Sequence, residues 1–507
     1  MATSERTYDH VIVGGGAAGC VLAARLSEDP DTSVLLVEAG PDYGSTLEDW
    51  PEAIRDGVGI KTEIHPWGYV QANDERTPPL ALPRGRVIGG SAAINGCMWL
   101  HGSASDFDGW GALGNPGWSF DAILDGYRRA ESDPLGGEFH GTDGPVPVFR
   151  LSEEAWTPVQ RAVTEAALEH NHPWVPDLNG RRVQTPGVGL NPRNQRDFVR
   201  MHGGVTYLAA ARGRANLTIA TEAVVDRVLL DGTTARGVRT ADGRTFAGRE
   251  VILSAGAYGS PAILLRSGVG PPDHLREVGV PVVVELPGVG GHLQDHPALT
   301  LPGPFPILPG NVPDRTVHCP VMILAQSGQS PDEIDLHIYH GQRVEQGVWS
   351  AWLDVSVQYA RSEGSVRLTS TDPEAAPAID HRHLSDPRDL EAMCDGAELA
   401  ADLFDSAIVR QVIAGEPRAR SWRSRDELRA FARRNVATMY HPSGSCKMGP
   451  ASDPSAVVGH DARVHGVGGL RVVDASIFPT GPRGNTHGPT VASAELVARR
   501  MAGAPAA

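Results

Sequence analysis

The sequence is poor in cysteine, has no long apolar run and has no excess of basic residues. Its five cysteines lie far apart and without C-x-x-C spacing: Cys20, Cys97, Cys319, Cys394 and Cys446. An odd and scattered set argues against a disulfide framework and against a zinc site. We therefore expect no bound metal.

No stretch approaches the roughly 18 apolar residues that a membrane-spanning helix needs. Residues 1–6 lead into the first predicted strand without an apolar signal region. These features predict a cytoplasmic protein with no membrane span. The 61 acidic residues outnumber the 45 basic ones, for a formal net charge of −16. Nucleic acid and anionic membranes are therefore not expected as partners, because both attract basic patches.

Length and composition indicate an ordinary globular protein with a large core. The 507 residues are 41% hydrophobic and 21% charged. Because single cores stop growing near about 250–300 residues, the chain should form two domains or one elaborated domain. No repeat or low-complexity tract is present, and the sequence leaves the oligomeric state open.

The most informative segment, residues 8–38, reads as a strand, a glycine turn, a helix and a second strand ending in an acid. Residues 11–13 are a short apolar run of the kind buried in a parallel sheet. Gly14, Gly16 and Gly19 fit the pattern G-x-G-x-x-G. In that pattern the first glycine allows a tight turn, the second lets backbone approach a pyrophosphate, and the third packs the helix on the strand.

This segment predicts a dinucleotide site. The pyrophosphate would lie at the helix N-terminus, where unpaired N–H groups and the helix dipole favour an anion. Glu38 ends the second strand, where its carboxylate can accept hydrogen bonds from ribose hydroxyls. The fingerprint alone does not choose between FAD and NAD.

Two later regions have the same character. Residues 216–256 contain apolar strands, and residues 470–474 form a strand that ends in an acid and precedes a predicted helix over 490–500. Since the last strand of this domain comes from the C-terminus, another unit must be inserted in it. We assign to the nucleotide-binding domain residues 1–145, 213–297 and 433–507.

The inserted segments, 146–212 and 298–432, have a different pattern. Residues 333–339 and 352–359 alternate apolar and polar side chains, as strands of an antiparallel sheet do, and residues 387–404 have a helical pattern. We expect an α/β fold: a Rossmann-like nucleotide-binding domain with an inserted substrate-binding domain built on an antiparallel sheet flanked by helices.

Five further motifs carry a resemblance to a known family. They are residues 83–96 (PRGRVIGGSAAING), 256–271 (GAYGSPAILLRSGVGP), 286–296 (LPGVGGHLQDH), 441–449 (HPSGSCKMG) and the C-terminal pair 473–479 and 484–490 (VDASIFP and GNTHGPT). Together with the fingerprint they make the chain resemble the glucose–methanol–choline (GMC) oxidoreductases, in particular bacterial choline-dehydrogenase-like members. The resemblance implies FAD and oxidation of an alcohol by hydride transfer to flavin N5.

Flavin-dependent alcohol oxidation needs a base for the hydroxyl proton, and the unperturbed pKa of histidine, near 6.5, suits this role. The resemblance places the base at His441, at a predicted helix-to-loop junction, and its partner at His487, in the loop before the last helix. A different alignment would make Asn485 the second member. Three further histidines are interpreted as residues that pack the loops or support the site: His101, His292 and His296.

The resemblance also assigns contacts to FAD. Those expected at the pyrophosphate and adenosine are Gly14, Gly16, Ala17, Ala18, Gly19, Glu38 and Val225, with Val224 as the alternative to Val225. Those expected along the ribityl chain and ring system are Arg84, Gly89, Gly90, Ser91, Asn95, Gly96, Asp474, Ala475, Pro489 and Thr490. Some relatives link FAD covalently through a histidine, but here Ile94 and Asn95 fill the candidate positions. We therefore expect noncovalent FAD.

The substrate and the electron acceptor stay open. Candidate alcohols include aryl, furanic, sugar, choline-like and terpenoid alcohols and a peptide-derived redox cofactor, and the flavin would be reoxidised by O2 or another acceptor. The alternatives are an FAD-containing lyase of the hydroxynitrile lyase or photodecarboxylase type, and a noncatalytic flavin-binding protein. Residues 41–67 are irregular and predict either a lid or a surface loop.

Overall fold

The architecture is built on two large sheets with different strand directions. The computed structural model describes residues 3–71, 79–301, 303, 305–308, 316–345, 348–415 and 419–503. The strands of the two sheets are β1 (Thr3–Val13), β2 (Val34–Val37), β3 (Gly187–Leu190), β4 (Leu217–Ala220), β5 (Val225–Asp231), β6 (Thr234–Thr240), β7 (Thr245–Leu253), β8 (Pro297–Thr300), β9 (Phe305–Pro306), β10 (Val321–Ala325), β11 (Leu336–Glu345), β12 (Val348–Val357), β13 (Ala437–Thr438) and β14 (Leu470–Val472).

Helices and short elements surround these sheets. The helices are α1 (Ala17–Leu26), α2 (Glu52–Arg55), α3 (Ala104–Ala112), α4 (Phe120–Ala130), α5 (Pro158–Glu169), α6 (Tyr207–Ala211), α7 (Gly256–Arg266), α8 (Pro272–Glu277), α9 (Pro387–Phe404), α10 (Ala407–Arg410), α11 (Arg425–Asn435) and α12 (His487–Met501). Short paired strands are Val70–Gln71 with Leu80–Ala81, Glu131–Ser132 with Val146–Pro147, Gln195–Arg196 with Val199–Arg200, Val269–Gly270 with Val284–Glu285, and Ser365–Arg367 with Ala378–Asp380. Among the described residues, no helix combines the length and the apolar character needed to cross a bilayer.

The first sheet is parallel at its centre. Its order is β4-β2-β1-β7-β6-β5, and β14 also pairs with β7. Strands β4, β2, β1, β7 and β14 are parallel, whereas β5, β6 and β7 form an antiparallel meander. All four residues of β2 are buried, which explains its continuous apolar run. Helix α12 packs against α1 and α4 beside this sheet.

The second sheet is antiparallel, in the order β13-β8-β12-β11-β10-β3, with β9 also paired to β12. One face packs on α9, where Val355 and Ala397 belong to a core separate from that of the first sheet. The alternate residues Tyr339 and Trp352 belong to a small cluster with Met98 and Met439. Period-two patterning therefore gives this sheet one face on the helical core and another toward the first sheet.

The two sheets confirm the expected α/β class, a parallel nucleotide-binding sheet combined with an antiparallel one. The predicted helix over 387–404 is α9, with the same bounds. The division into domains stays a proposal. Strand β13 belongs to the second sheet although residues 437–438 were assigned to the nucleotide-binding domain, and β8 starts at Pro297, on the assigned boundary.

Candidate active site

The candidate site is a cavity at the carboxyl ends of the parallel strands, the usual ligand position in such sheets. Val13 and Val37 line it where β1 and β2 end, and Ser254 lines it just after β7. Met98 and Met439, which pack on the cluster beneath the antiparallel sheet, also line it. The cavity therefore reaches from one sheet to the other.

Most of the predicted site residues line this one cavity. They are Gly14, Gly16, Ala17, Ala18, Glu38, Arg84, Gly90, Ser91, Asn95, Gly96, Val225, His441, Asp474, Ala475, His487 and Thr490. The two alternatives, Val224 and Asn485, line it as well. Gly19, Gly89 and Pro489 were also predicted, but they are not part of the lining.

The glycine turn shows why Gly19 lies behind the wall. A Cβ atom on Gly19 would stand 1.9 Å from the carbonyl oxygen of Gly14, so α1 packs on the turn too closely for any side chain. Gly14 itself has a φ of +99°, and a Cβ there would lie 2.5 Å from the Ser254 carbonyl oxygen. Gly16 differs, because the nearest atom to its Cβ position, among the described residues beyond its chain neighbours, is the Ser254 carbonyl oxygen at 3.9 Å. This open backbone, at the N-terminus of α1, fits the approach of a pyrophosphate.

Glu38 is fixed by backbone donors at the end of β2. Its Oε2 accepts from the Gly15 N–H at 2.7 Å, and its Oε1 accepts from the Gly40 N–H at 2.8 Å. Burial raises the pKa of Glu38 to about 7. Since its side chain lines the cavity together with Val225, this carboxylate fits the hydroxyl groups of an adenosine ribose.

The adjacent glycines Gly89 and Gly90 have different surroundings. Gly90 has a φ of +55°, and a Cβ there would lie 2.8 Å from the Cα of Gly16. The two signature segments therefore meet backbone to backbone in the cavity wall. A Cβ on Gly89 would instead lie 2.3 Å from His202 Nδ1, which explains why Gly89 packs away from the cavity.

Arg84 lines the cavity with unsatisfied donors. Its guanidinium lies over the ring of Tyr258 at 5.6 Å, and among the described residues its buried Nε and one terminal nitrogen have no hydrogen-bond partner. Buried donors without acceptors are costly, so a bound group with oxygen acceptors would be stabilised here. Together with the open Gly16 backbone and the Glu38 carboxylate, this arrangement fits FAD.

His441 lies just after β13 and Tyr440, whose φ is +67°. The preceding element is therefore a two-residue strand, and the predicted helix-to-loop junction was wrong, because α11 ends earlier. The His441 N–H donates to Asp295 Oδ1 at 2.8 Å, which fixes the backbone. Its Nδ1 lies 2.9 Å from His296 Nδ1, and its Nε2 lies 3.0 Å from Asn485 Nδ2.

The imidazole of His441 is neutral at ordinary pH. Burial, with smaller effects from His296 and Arg84, holds its pKa well below the usual value. A neutral ring with a nitrogen near the cavity can accept a proton.

His487 is the first residue of α12 and not part of the preceding loop, as the sequence had suggested. Its ring packs edge-on against Trp99, with centroids 5.3 Å apart, and burial lowers its pKa to about 4. Thr486 and Thr490 line the same wall, so the N-terminus of α12 faces the cavity and favours negative charge there. Asn485 and His487 both reach the cavity.

Asp295 is a supporting residue that the sequence interpretation missed. Besides the His441 N–H, it accepts from the Thr438 hydroxyl at 2.5 Å and from His383 Nε2 at 3.0 Å. Burial alone would raise its pKa, but these donors and nearby His381 hold the pKa far below its usual range. The motif at 286–296 was the available signal.

The three histidines interpreted as supporting residues, His101, His292 and His296, have different partners in the structure. His101 Nε2 pairs with Glu131 Oε2 at 3.0 Å, and His292 Nε2 lies 2.7 Å from the Pro479 carbonyl oxygen. Only His296 of these three contacts His441, among the described residues.

Residues 41–67 contribute Ile60 and Trp67 to the cavity wall. The guanidinium of Arg86 lies 5.1 Å from the Trp67 ring, and its Nε donates to the Ala39 carbonyl beside Glu38. Trp67 is thus packed against Arg86, and its backbone N–H donates to the Arg84 carbonyl at 3.0 Å.

Comparisons with known proteins identify the family of this chain. A family model described as GMC oxidoreductase matches residues 8–298, and a second model of that description matches residues 360–494. The chain belongs to the GMC oxidoreductases. Members of this family bind FAD and oxidise alcohols, so this protein is an FAD-dependent oxidoreductase.

Individual relatives of this GMC oxidoreductase cover nearly all of it. It is 36% identical to the oxygen-dependent choline dehydrogenase 1 of Chromohalobacter salexigens, over 99% of this chain and 96% of that protein. It is 35% identical to human mitochondrial choline dehydrogenase, over 99% and 91% of the two chains.

Solved structures show the same fold. The pyridoxine 4-oxidase of Mesorbium loti superposes with a TM-score of 0.89 at 31% identity, over 98% of this chain and all of the other. A formate oxidase from Aspergillus oryzae superposes with a TM-score of 0.86 at 23% identity, over 99% of both chains, which supports the fold alone.

Proposed function

We propose that this GMC oxidoreductase oxidises a small-molecule alcohol to an aldehyde or ketone, with His441 as the base and His487 as its partner. The observation that carries the proposal is the position of His441, which lines the cavity with its Nε2 3.0 Å from Asn485 Nδ2, while burial holds its pKa well below the usual value. Choline-like and pyridoxine-like alcohols are candidates, since relatives are named for them.

In this proposal the residues bind and deprotonate the hydroxyl group. His441 accepts the proton at Nε2, while His487 and the N-terminus of α12 stabilise the developing alkoxide. A bound FAD would supply the hydride acceptor, flavin N5, for the alcohol carbon. A reduced flavin would need O2 or another electron acceptor, and the names of the oxygen-dependent bacterial relatives support O2.

We also propose that FAD is held without a covalent bond, because Ile94 and Asn95 occupy the positions expected for a linking residue. Acid precipitation should release the yellow chromophore into the supernatant. Colour that stays with the pellet would contradict this. A cytoplasmic location stays a prediction from the sequence.

An anaerobic screen tests the function. Holoenzyme is mixed with aryl, furanic, sugar, choline-like, terpenoid and pyridoxine-like alcohols while the visible absorption of the flavin is followed. Bleaching by at least one class supports alcohol oxidation. A flavin that stays oxidised while a substrate is cleaved would support a lyase instead.

A further inference from the structure

Two buried imidazole rings meet beside the cavity. His296 Nδ1 lies 2.9 Å from His441 Nδ1, and the ring planes are 80° apart. A nitrogen–nitrogen contact of this length is a hydrogen bond only when one ring donates and the other accepts. The protonation sites of the two rings are therefore tied together.

The other nitrogen of His441 decides which ring donates. Its Nε2 faces Asn485 Nδ2 at 3.0 Å, and an amide nitrogen only donates. His441 Nε2 then holds the lone pair and Nδ1 holds the proton, which is donated to His296. The reverse arrangement would leave His441 Nε2 protonated and unable to act as a base.

We propose that His296 is a positioning residue that holds His441 in the tautomer whose Nε2 accepts the substrate proton. This inference rests on the proposed role of His441. A third group that fixes the tautomer of a catalytic histidine is a known arrangement, usually with a carboxylate. Here a neutral imidazole takes that place, and the Asp295 carboxylate instead accepts the His441 backbone N–H.

The surroundings keep His296 neutral. Burial lowers its pKa to about 4, although Asp295 and the backbone carbonyls of Pro482 and Gln358 favour its proton. The groups that act on the pKa of His441 are His296, Asp295, Arg84 and His337. A neutral acceptor at 296 fixes the His441 tautomer without adding a charge that would raise the pKa of the base.

Three substitutions test the inference, each in FAD-loaded enzyme with the alcohol that reduces the wild-type flavin. In His296→Asn, an amide oxygen replaces Nδ1 as acceptor, so flavin reduction should stay close to the wild-type rate. His296→Leu removes the acceptor and should slow reduction about 10²-fold, the lower end of general-base effects. In His296→Asp, a charged acceptor should shift the pH dependence of reduction to higher pH.

His340→Leu is the matched control, since His340 is also buried but lies outside the cavity lining. It should reduce flavin at the wild-type rate. Equal rates in the wild type and His296→Leu, or equally slow Asn and Leu variants, would overturn the inference. If the leucine variant does not fold, the aspartate variant decides: an unchanged pH profile of flavin reduction in His296→Asp would also overturn the inference.

Failure of the proposed function gives a different result. If His441→Ala reduced flavin at the wild-type rate, His441 would not be the base, and this conclusion would hold whatever the His296 variants show. FAD content and the thermal midpoint of every variant show that the compared proteins are folded and loaded.

Discussion

The two ends of the cavity are built by different means. At the nucleotide end the wall is mostly backbone: Gly14, Gly16 and Gly90 bring main chain to the surface, and Glu38 is held by backbone N–H groups. At the catalytic end the wall is made of side chains, among them His441 and His487, whose pKa values burial lowers.

This difference separates binding from chemistry. A side chain added at Gly14, Gly19 or Gly90 would collide with main chain and should weaken FAD binding, with little effect on a loaded active site. A side chain removed at the catalytic end leaves the cofactor site intact and should slow the reaction.

The largest effect is expected for His441→Ala. Without the base, reduction of bound flavin by the alcohol should slow about 10³-fold, within the range of general-base catalysis. Stopped-flow absorbance measures the rate. The FAD content should match the wild type. A variant that is slow only because it has lost FAD would contradict separate roles for the two ends of the cavity.

A smaller loss is expected for His487→Ala, about 10²-fold, because the partner of the developing alkoxide is removed. Asn485→Ala should cost less, since His441 keeps His296 as its other contact. The same stopped-flow assay ranks the two variants. The opposite ranking would assign the partner role to Asn485.

At the nucleotide end, Gly19→Ala should weaken FAD binding about 10-fold or more. Its Cβ would lie 1.9 Å from the Gly14 carbonyl oxygen, and overpacking of this kind costs about 1–3 kcal/mol. Titration of the apoprotein with FAD measures the change. Gly213→Ala is the control, because within the described part of the chain no residue beyond its two neighbours has an atom within 4 Å of its Cβ position. If FAD-loaded Gly19→Ala reduced its flavin as slowly as His441→Ala does, binding and catalysis would not be separated between the two ends of the cavity.

The smallest effect concerns pH. Because the base must be unprotonated and the pKa of His441 is well below its usual value, kcat/KM should stay nearly constant from about pH 9 to below about pH 6.5. Activity should fall only at more acidic pH. If the acid-side decrease in kcat/KM had its midpoint at or above the unperturbed histidine pKa of about 6.5, burial would not control the pKa of His441.

The nucleotide end could be predicted from local sequence. The strand, turn, helix and acid of residues 8–38 are neighbours in the chain, so periodicity and glycine spacing were enough. Helix α9 was equally readable from its apolar pattern. Family motifs also indicated His441 and His487, which the structure brings to one wall.

The catalytic contacts could not be read in this way. His296 and His441 are 145 residues apart, and Asn485 is 44 residues beyond His441, so only tertiary packing brings them together. The short strand β13 was missed because two residues carry no periodic signal, and it exists through pairing with β8. The start of α12 at His487 was missed because Gly488 and Pro489 resemble loop residues.

The most direct test of the account is an anaerobic single turnover. Holoenzyme is mixed with excess of the best alcohol, and bound flavin and carbonyl product are both quantified. The account predicts complete bleaching of the flavin with one aldehyde or ketone formed per flavin. Product formed while the flavin stays oxidised would contradict alcohol oxidation at this site.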